Sequence, residues 1–163
     1  MHPSDLDERT LLADTSITRG RSGGPGGQHR NKVETHITMI HRPTGTTAKA
    51  GERRSQDENK RVALFRLRLA LALAVRTERS QQSALWTGRL AKGRLRCNSA
   101  HADFPSLIAE ALDWLDQSDW DGKHAAAQLG LSSSQLVKFV KAYPPAFLRW
   151  NEERNTRGLG PLR

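Results

Sequence analysis

The sequence predicts an α+β fold followed by a small all-helical segment, and three observations point there. Two β-prone runs, residues 35–40 and 46–50, flank the turn signal Arg42-Pro43-Thr44-Gly45 and read as a hairpin. The capping-box pattern Ser55-Gln56-Asp57-Glu58 opens a helix in which Leu64, Leu67, Leu71 and Ala74 fall on one stripe. From Asp103 onward, apolar residues recur at helical spacing and no alternating run appears. This sets an organisation of one small domain over residues 11–80, a basic linker over 81–102, and a helical segment over 103–157.

The elements follow in order. Residues 1–10 read as a polar lead-in, and a short strand is expected around Ser16-Ile17-Thr18. A glycine-rich loop comes next at 23–27, then the hairpin strands. The capped helix is expected from about Gln56 to Ser80, its leucine stripe covering the hairpin. Its middle, Leu67-Arg68-Leu69-Ala70-Leu71-Ala72-Leu73, also alternates like a strand, but Ala and Leu are strong helix formers and the cap lies upstream. In the last segment, Phe104 to Leu115 gives a first helix and 122–129 a second. Gly130-Leu131-Ser132 is a turn, with Ser132 or Ser133 as the next N-cap. Helices over 134–142 and 146–157 follow, separated by Pro144-Pro145. The run from Ala125 to Leu136 resembles a helix-turn-helix, so a fold of this small type is expected there.

Charge divides the chain. Residues 1–100 carry 19 Lys/Arg against 9 Asp/Glu, net +10, while residues 101–163 carry 7 against 8, net −1. The basic field belongs to the first part, where it fits either a polyanionic partner such as nucleic acid or a solvated surface. One cysteine, Cys97, excludes an internal disulfide and suits a reducing compartment. No apolar run reaches membrane-spanning length, and the acidic start lacks the apolar core of a signal peptide. A cytoplasmic protein without membrane association is expected.

The loop Gly23-Gly24-Pro25-Gly26-Gly27-Gln28 has four glycines in five positions, with Arg19, Arg21, Arg30 and Lys32 around it. Such a backbone can approach another molecule closely, and the cations suit phosphates. By composition alone, it reads first as a flexible surface loop without chemistry. It lacks the Gly-Lys-Ser/Thr of a nucleotide-phosphate loop and the Gly-x-Gly-x-x-Gly of a dinucleotide site. His29, His36 and His41 match no common zinc spacing, so neither a metal nor another cofactor is expected.

The run from Arg21 through Gly26-Gly27-Gln28 to Thr35 resembles the signature of class I peptide-chain release factors. A second match lies in register: His41-Arg42-Pro43-Thr44-Gly45, Glu52-Arg53-Arg54-Ser55-Gln56 and Asn59-Lys60-Arg61. The resemblance covers about residues 15–80, the length of that family's catalytic domain, with Arg30 and His36 as departures from its usual residues. It implies ribosome-dependent hydrolysis of peptidyl-tRNA, with Gly26, Gly27 and Gln28 as the catalytic residues. The partners implied are peptidyl-tRNA and the large-subunit rRNA at the peptidyl-transferase centre. Arg21, Ser22, Arg30, Asn31, Lys32, Arg53, Arg54 and Gln56 would bind rRNA and the tRNA end. Gln28 is also a candidate for methylation, and the protein would be a monomer off the ribosome.

Release factors read stop codons with tripeptides such as Pro-x-Thr or Ser-Pro-Phe, which do not occur here, and 163 residues are too few for that domain beside the catalytic one. The expectation is therefore codon-independent rescue of stalled ribosomes. The Lys/Arg-rich tail of short rescue relatives is also absent, and only residues 89–96 are comparably basic. The alternative is a non-catalytic rRNA- or ribosome-binding protein, or a DNA-binding adaptor using the helix-turn-helix-like tail.

Overall fold

A computed structural model describes residues 1–20 and 35–162. It divides into two compact units, Pro3–Ala74 and a second formed by Met1–His2 with Val75–Arg163. The glycine-rich loop lies outside the described residues.

In the first unit, Asp7 caps a short helix α1 (Glu8–Ala13) by accepting from the Thr10 amide at 3.0 Å. This helix stands where the sequence suggested a loose lead-in, because Leu11 is fully buried and secures it. Three antiparallel strands follow: β1 (Thr15–Gly20), β2 (His36–His41) and β3 (Thr46–Ala50), with β2 in the centre. Residues 42–45 turn between β2 and β3, and the Gly45 amide donates to the His41 carbonyl at 2.8 Å. Helix α2 (Gln56–Ala74) lies across β2 and β3. The Ser55 hydroxyl accepts from the Glu58 amide at 3.1 Å, as the capping pattern anticipates. Ala63, Leu64, Leu67 and Leu71 meet Ile37, Met39, Ala48 and Ala50 in the buried layer. Each large apolar side chain there contributes about 1.5–3 kcal/mol.

Two expectations for α2 are corrected. The helix ends at Ala74 rather than near Ser80, and Ala74 itself is exposed. No glycine or proline stops it. Residues 75–83 instead find partners on a helix of the second unit to which they belong. The Thr77 amide donates to Asp113 at 3.0 Å, the Arg79 amide to Gln117 at 2.9 Å, and the Ser83 amide to Glu110 at 2.8 Å. Side-chain oxygens replace the carbonyls that a longer helix would have supplied.

Residues 81–102, expected as a linker, are folded. Ser83 caps α3 (Ala84–Arg89), and a two-stranded hairpin follows, β4 (Leu90–Ala91) with β5 (Arg94–Leu95). Trp86 makes this possible. It is fully buried, its indole N–H donates to the Leu129 carbonyl at 3.0 Å, and its ring packs edge-on against Phe139. One apolar anchor of that size holds a short helix that propensity alone would not.

The remaining helices are α4 (Phe104–Gln117), α5 (Gly122–Gln128), α6 (Ser133–Lys141) and α7 (Pro144–Thr156). Central α4 is buried along most of its length, including Glu110 and Asp113. Ser132 is the N-cap of α6, accepting from the Gln135 amide at 3.3 Å. Gly130 takes φ +67°, the left-handed conformation that closes the α5–α6 turn. Pro144 and Pro145 open α7, where the missing amides cost nothing.

Candidate functional site

The chain on both sides of the glycine-rich loop is tightly held. Gly20 and His36 are opposite partners at one end of the β1–β2 ladder, so the strands that leave for and return from residues 21–34 are joined at their base. Asn59 locks this base to α2. Its side chain is fully buried. Its amide nitrogen donates to the Thr35 carbonyl at 2.7 Å and to the Arg53 carbonyl at 3.0 Å, while its oxygen accepts from the Arg53 amide at 2.9 Å. One side chain thus satisfies three backbone groups, from the loop exit and from the segment before α2.

Gly51 packs against the same exit. A Cβ there would lie 2.4 Å from His36 Nδ1, so only glycine lets the imidazole sit against the backbone. Glu52 then ties the end of β3 to α2. Its carboxylate takes both Arg66 nitrogens, at 2.6 and 3.2 Å, and the Gly51 amide at 3.0 Å, while Arg66 also donates to the Lys49 carbonyl at 2.8 Å.

Above all the Gly51 amide, then Glu52's own amide and Arg66, hold the Glu52 carboxyl down at about 2 from an ordinary 4.5. Because the folded-state value is depressed, the stabilisation is fully present above the ordinary value and lost as pH falls through about 2. We expect the Glu52 carboxyl resonance to titrate near pH 2 by NMR, and to move back towards its ordinary midpoint in Arg66→Gln. An ordinary midpoint in the wild-type protein would contradict the clamp.

Of the residues singled out in the sequence, Arg53 and Arg54 stand exposed between β3 and α2, and Gln56 is the half-buried first residue of α2. Gln56 lines an open groove of about 400 Å3 whose other described lining residues are Ile17, Arg19, Ile37, Asp57 and Lys60. Arg19 and Ile37 form the strand pair next to Gly20 and His36, so the groove lies beside the base of the loop. Arg19, Arg53, Arg54 and Lys60 make no ion pair with any described residue. They form a basic rim around the loop base, able to meet phosphate oxygens. Gly26, Gly27, Gln28, Arg21, Ser22, Arg30, Asn31, Lys32 and His29 lie outside the described residues. The His36 ring lies against Gly51, and His41 is buried with Nδ1 at 2.8 Å from the Thr44 hydroxyl. No group of three or more metal-ligating side chains occurs among the described residues. None of the helices among those residues is long and apolar enough to cross a membrane.

Sequence reasoning took Asn59 only as part of a motif. The available signal was a poor helix former in the first turn of a helix otherwise built from good ones. On α6, Ser133, Ser134, Lys138 and Lys141 are exposed and Gln135 is half-buried.

Comparison with known proteins finds similarity to peptide chain release factors. The chain is 36% identical over 84 residues to the human mitochondrial peptide chain release factor 1, covering 50% of this chain and 19% of that protein. It is 42% identical over 69 residues to the chloroplastic peptide chain release factor PrfB1 of Arabidopsis thaliana, covering 42% and 15%. It is 39% identical over 93 residues to peptide chain release factor 1 of Delftia acidovorans, covering 56% and 26%. The chain thus spans about a quarter or less of the length of these relatives. The RF-1 domain model matches residues 7–100, a span that takes in the loop, its clamped base and the β4–β5 hairpin. More than half of the chain lies within that match, and the chain belongs to the RF-1 domain family.

Proposed function

We propose that this chain hydrolyses the ester bond of peptidyl-tRNA on the ribosome, releasing nascent chains from stalled complexes without reading a codon. One observation carries the reading. An intact Gly26-Gly27-Gln28 lies within the RF-1 span, between strand ends that are paired with each other and clamped to α2 by Asn59. The strands flanking the loop are thus held in a fixed register on α2.

In this mechanism water attacks the carbonyl carbon of the ester, and the 3′ oxygen of the tRNA leaves with a proton. The backbone N–H of Gln28 donates to the oxygen on which charge develops, a stabilisation exerted in the transition state. The Gln28 side chain orients the water, and its amide nitrogen is the candidate for methylation. Gly26 and Gly27 allow the close backbone approach. Arg53, Arg54 and Gln56, with Arg21, Ser22, Arg30, Asn31 and Lys32, seat the loop on large-subunit rRNA and the tRNA end. The protein acts in the cytoplasm, as a monomer when off the ribosome.

The test is peptide release by the purified chain from ribosomes carrying peptidyl-tRNA. Release is expected on truncated mRNA and should weaken when mRNA fills the A site. No release at saturating protein would refute the hydrolase. Equal release on both complexes would refute recognition of a vacant A site.

A further inference from the structure

The second unit ties up its arginines almost completely. Arg76 and Arg79 are held by Asp113, Arg89 by Asp103, Arg149 by Glu153, and Arg157 by Asp119 and Glu153. Arg154 donates to the Gly160 carbonyl at 3.0 Å. Among its described arginines, only Arg94 and Arg96 have no side-chain partner, and both sit on the β4–β5 hairpin. Lys92 joins them at the tip, and all three are exposed. No acidic residue occurs between Arg79 and Ala102 in the sequence, and neither Arg94 nor Arg96 pairs with a described carboxylate.

The hairpin presents these charges in a fixed arrangement. Lys92 and Gly93 have φ of 50° and 69°, the two left-handed residues of a tight turn whose twist matches that of the strands. A lysine in this region costs of order 1 kcal/mol, which glycine would avoid. The ladder continues beyond the turn, with the Arg96 amide donating to the Arg89 carbonyl at 2.9 Å. Leu90 and Leu95 are opposite partners and half-buried, rooting the hairpin. Strand alternation puts Arg94 and Arg96 on the other face together, about 7 Å apart. Two guanidiniums on one edge and an ammonium at the tip match successive phosphates of one strand.

We propose that the β4–β5 hairpin is an RNA-phosphate contact, with Lys92, Arg94 and Arg96 as its ligating residues, separate from the unit that carries the glycine-rich loop. Cationic side chains of this kind read backbone charge and not bases.

The test uses the full chain and a short RNA duplex, with affinity read by fluorescence anisotropy across a salt series. The triple variant Lys92→Asn, Arg94→Gln, Arg96→Gln keeps a residue tolerant of the left-handed turn at position 92. The control, Lys123→Gln, Lys138→Gln, Lys141→Gln, removes the same charge from the same unit. The hairpin variant should bind at least about 10-fold more weakly, with a salt slope shallower by about 2–3, while the control shifts by less than about 3-fold. Equal losses in both variants would reduce the effect to net charge and overturn the proposal. Loss of binding to phosphatidylserine vesicles with RNA affinity intact would overturn it in favour of a membrane contact. Unchanged tryptophan fluorescence would show that the fold survives. Hydrolysis does not enter this measurement, so failure of the release assay and failure of the hairpin contact are separate results.

Discussion

Replacing Gln28 by proline should lower peptide release by about 100- to 1000-fold while leaving ribosome affinity nearly unchanged. Proline has no amide hydrogen, so the donor proposed to face the developing oxyanion is deleted outright. Gln28→Ala keeps that amide and removes only the side chain proposed to orient water, so its loss should be smaller. Gly27→Ala keeps both but adds a Cβ where the backbone must come close, and release should fall with binding preserved. The measurement is single-turnover release at saturating protein, with affinity determined separately. If Gln28→Pro and Gln28→Ala release at the same rate, the backbone amide plays no part. If all three variants keep full activity, the loop is not the catalytic element.

The second large effect is on stability. Asp113 is fully buried and accepts from Arg79 Nε at 2.8 Å, the Thr77 hydroxyl at 2.7 Å, the Thr77 amide at 3.0 Å and Arg76 Nη1 at 3.3 Å. Beside it, Glu110 accepts from the Ser83 hydroxyl at 2.5 Å and lies 3.7 Å from Arg79. Burial lowers the pKa of Arg76, and the charge of Asp113 opposes that shift. Asp113→Ala removes the buried acceptor that Arg76, Arg79 and Thr77 share, which should cost about 3–5 kcal/mol. All four tryptophans, Trp86, Trp114, Trp120 and Trp150, lie in this unit, so urea unfolding followed by tryptophan fluorescence reports on it alone. A loss below about 1 kcal/mol would show that the network does not hold residues 75–83 in place.

Much of the fold was legible because its signals are local. The hairpin announced itself by β-prone runs around a proline–glycine turn, and α2 by Ser55 and Glu58 three residues apart. The stripe of Leu64, Leu67 and Leu71 is buried as expected. The β4–β5 hairpin was missed for a physical reason. Its first turn position is Lys92, whereas a tight hairpin turn usually carries Asn, Asp or Gly there. Trp86 was the overlooked signal, since a residue that large in a supposed linker needs a core to enter. At the candidate site, motif residues named the loop and the basic rim, but not the clamp. Asn59 and Gly51 have significance only through Thr35, Arg53 and His36, which the fold brings to them.

The sequence by itself determined the types of β1 to β3, α2 and α4 to α7, the leucine face of α2, the charge asymmetry and the membership that its two motifs announce. Each depends on periodicity, spacing or composition, which the chain carries without folding. Only the tertiary structure decided where α2 stops and how the base of the loop is held. Both depend on backbone groups whose partners are distant in sequence: residues 77–83 bond to Asp113, Gln117 and Glu110, and Thr35 to Asn59. A helix that could have continued ends because those side chains offer its successors better-placed acceptors, and no local pattern records such an exchange.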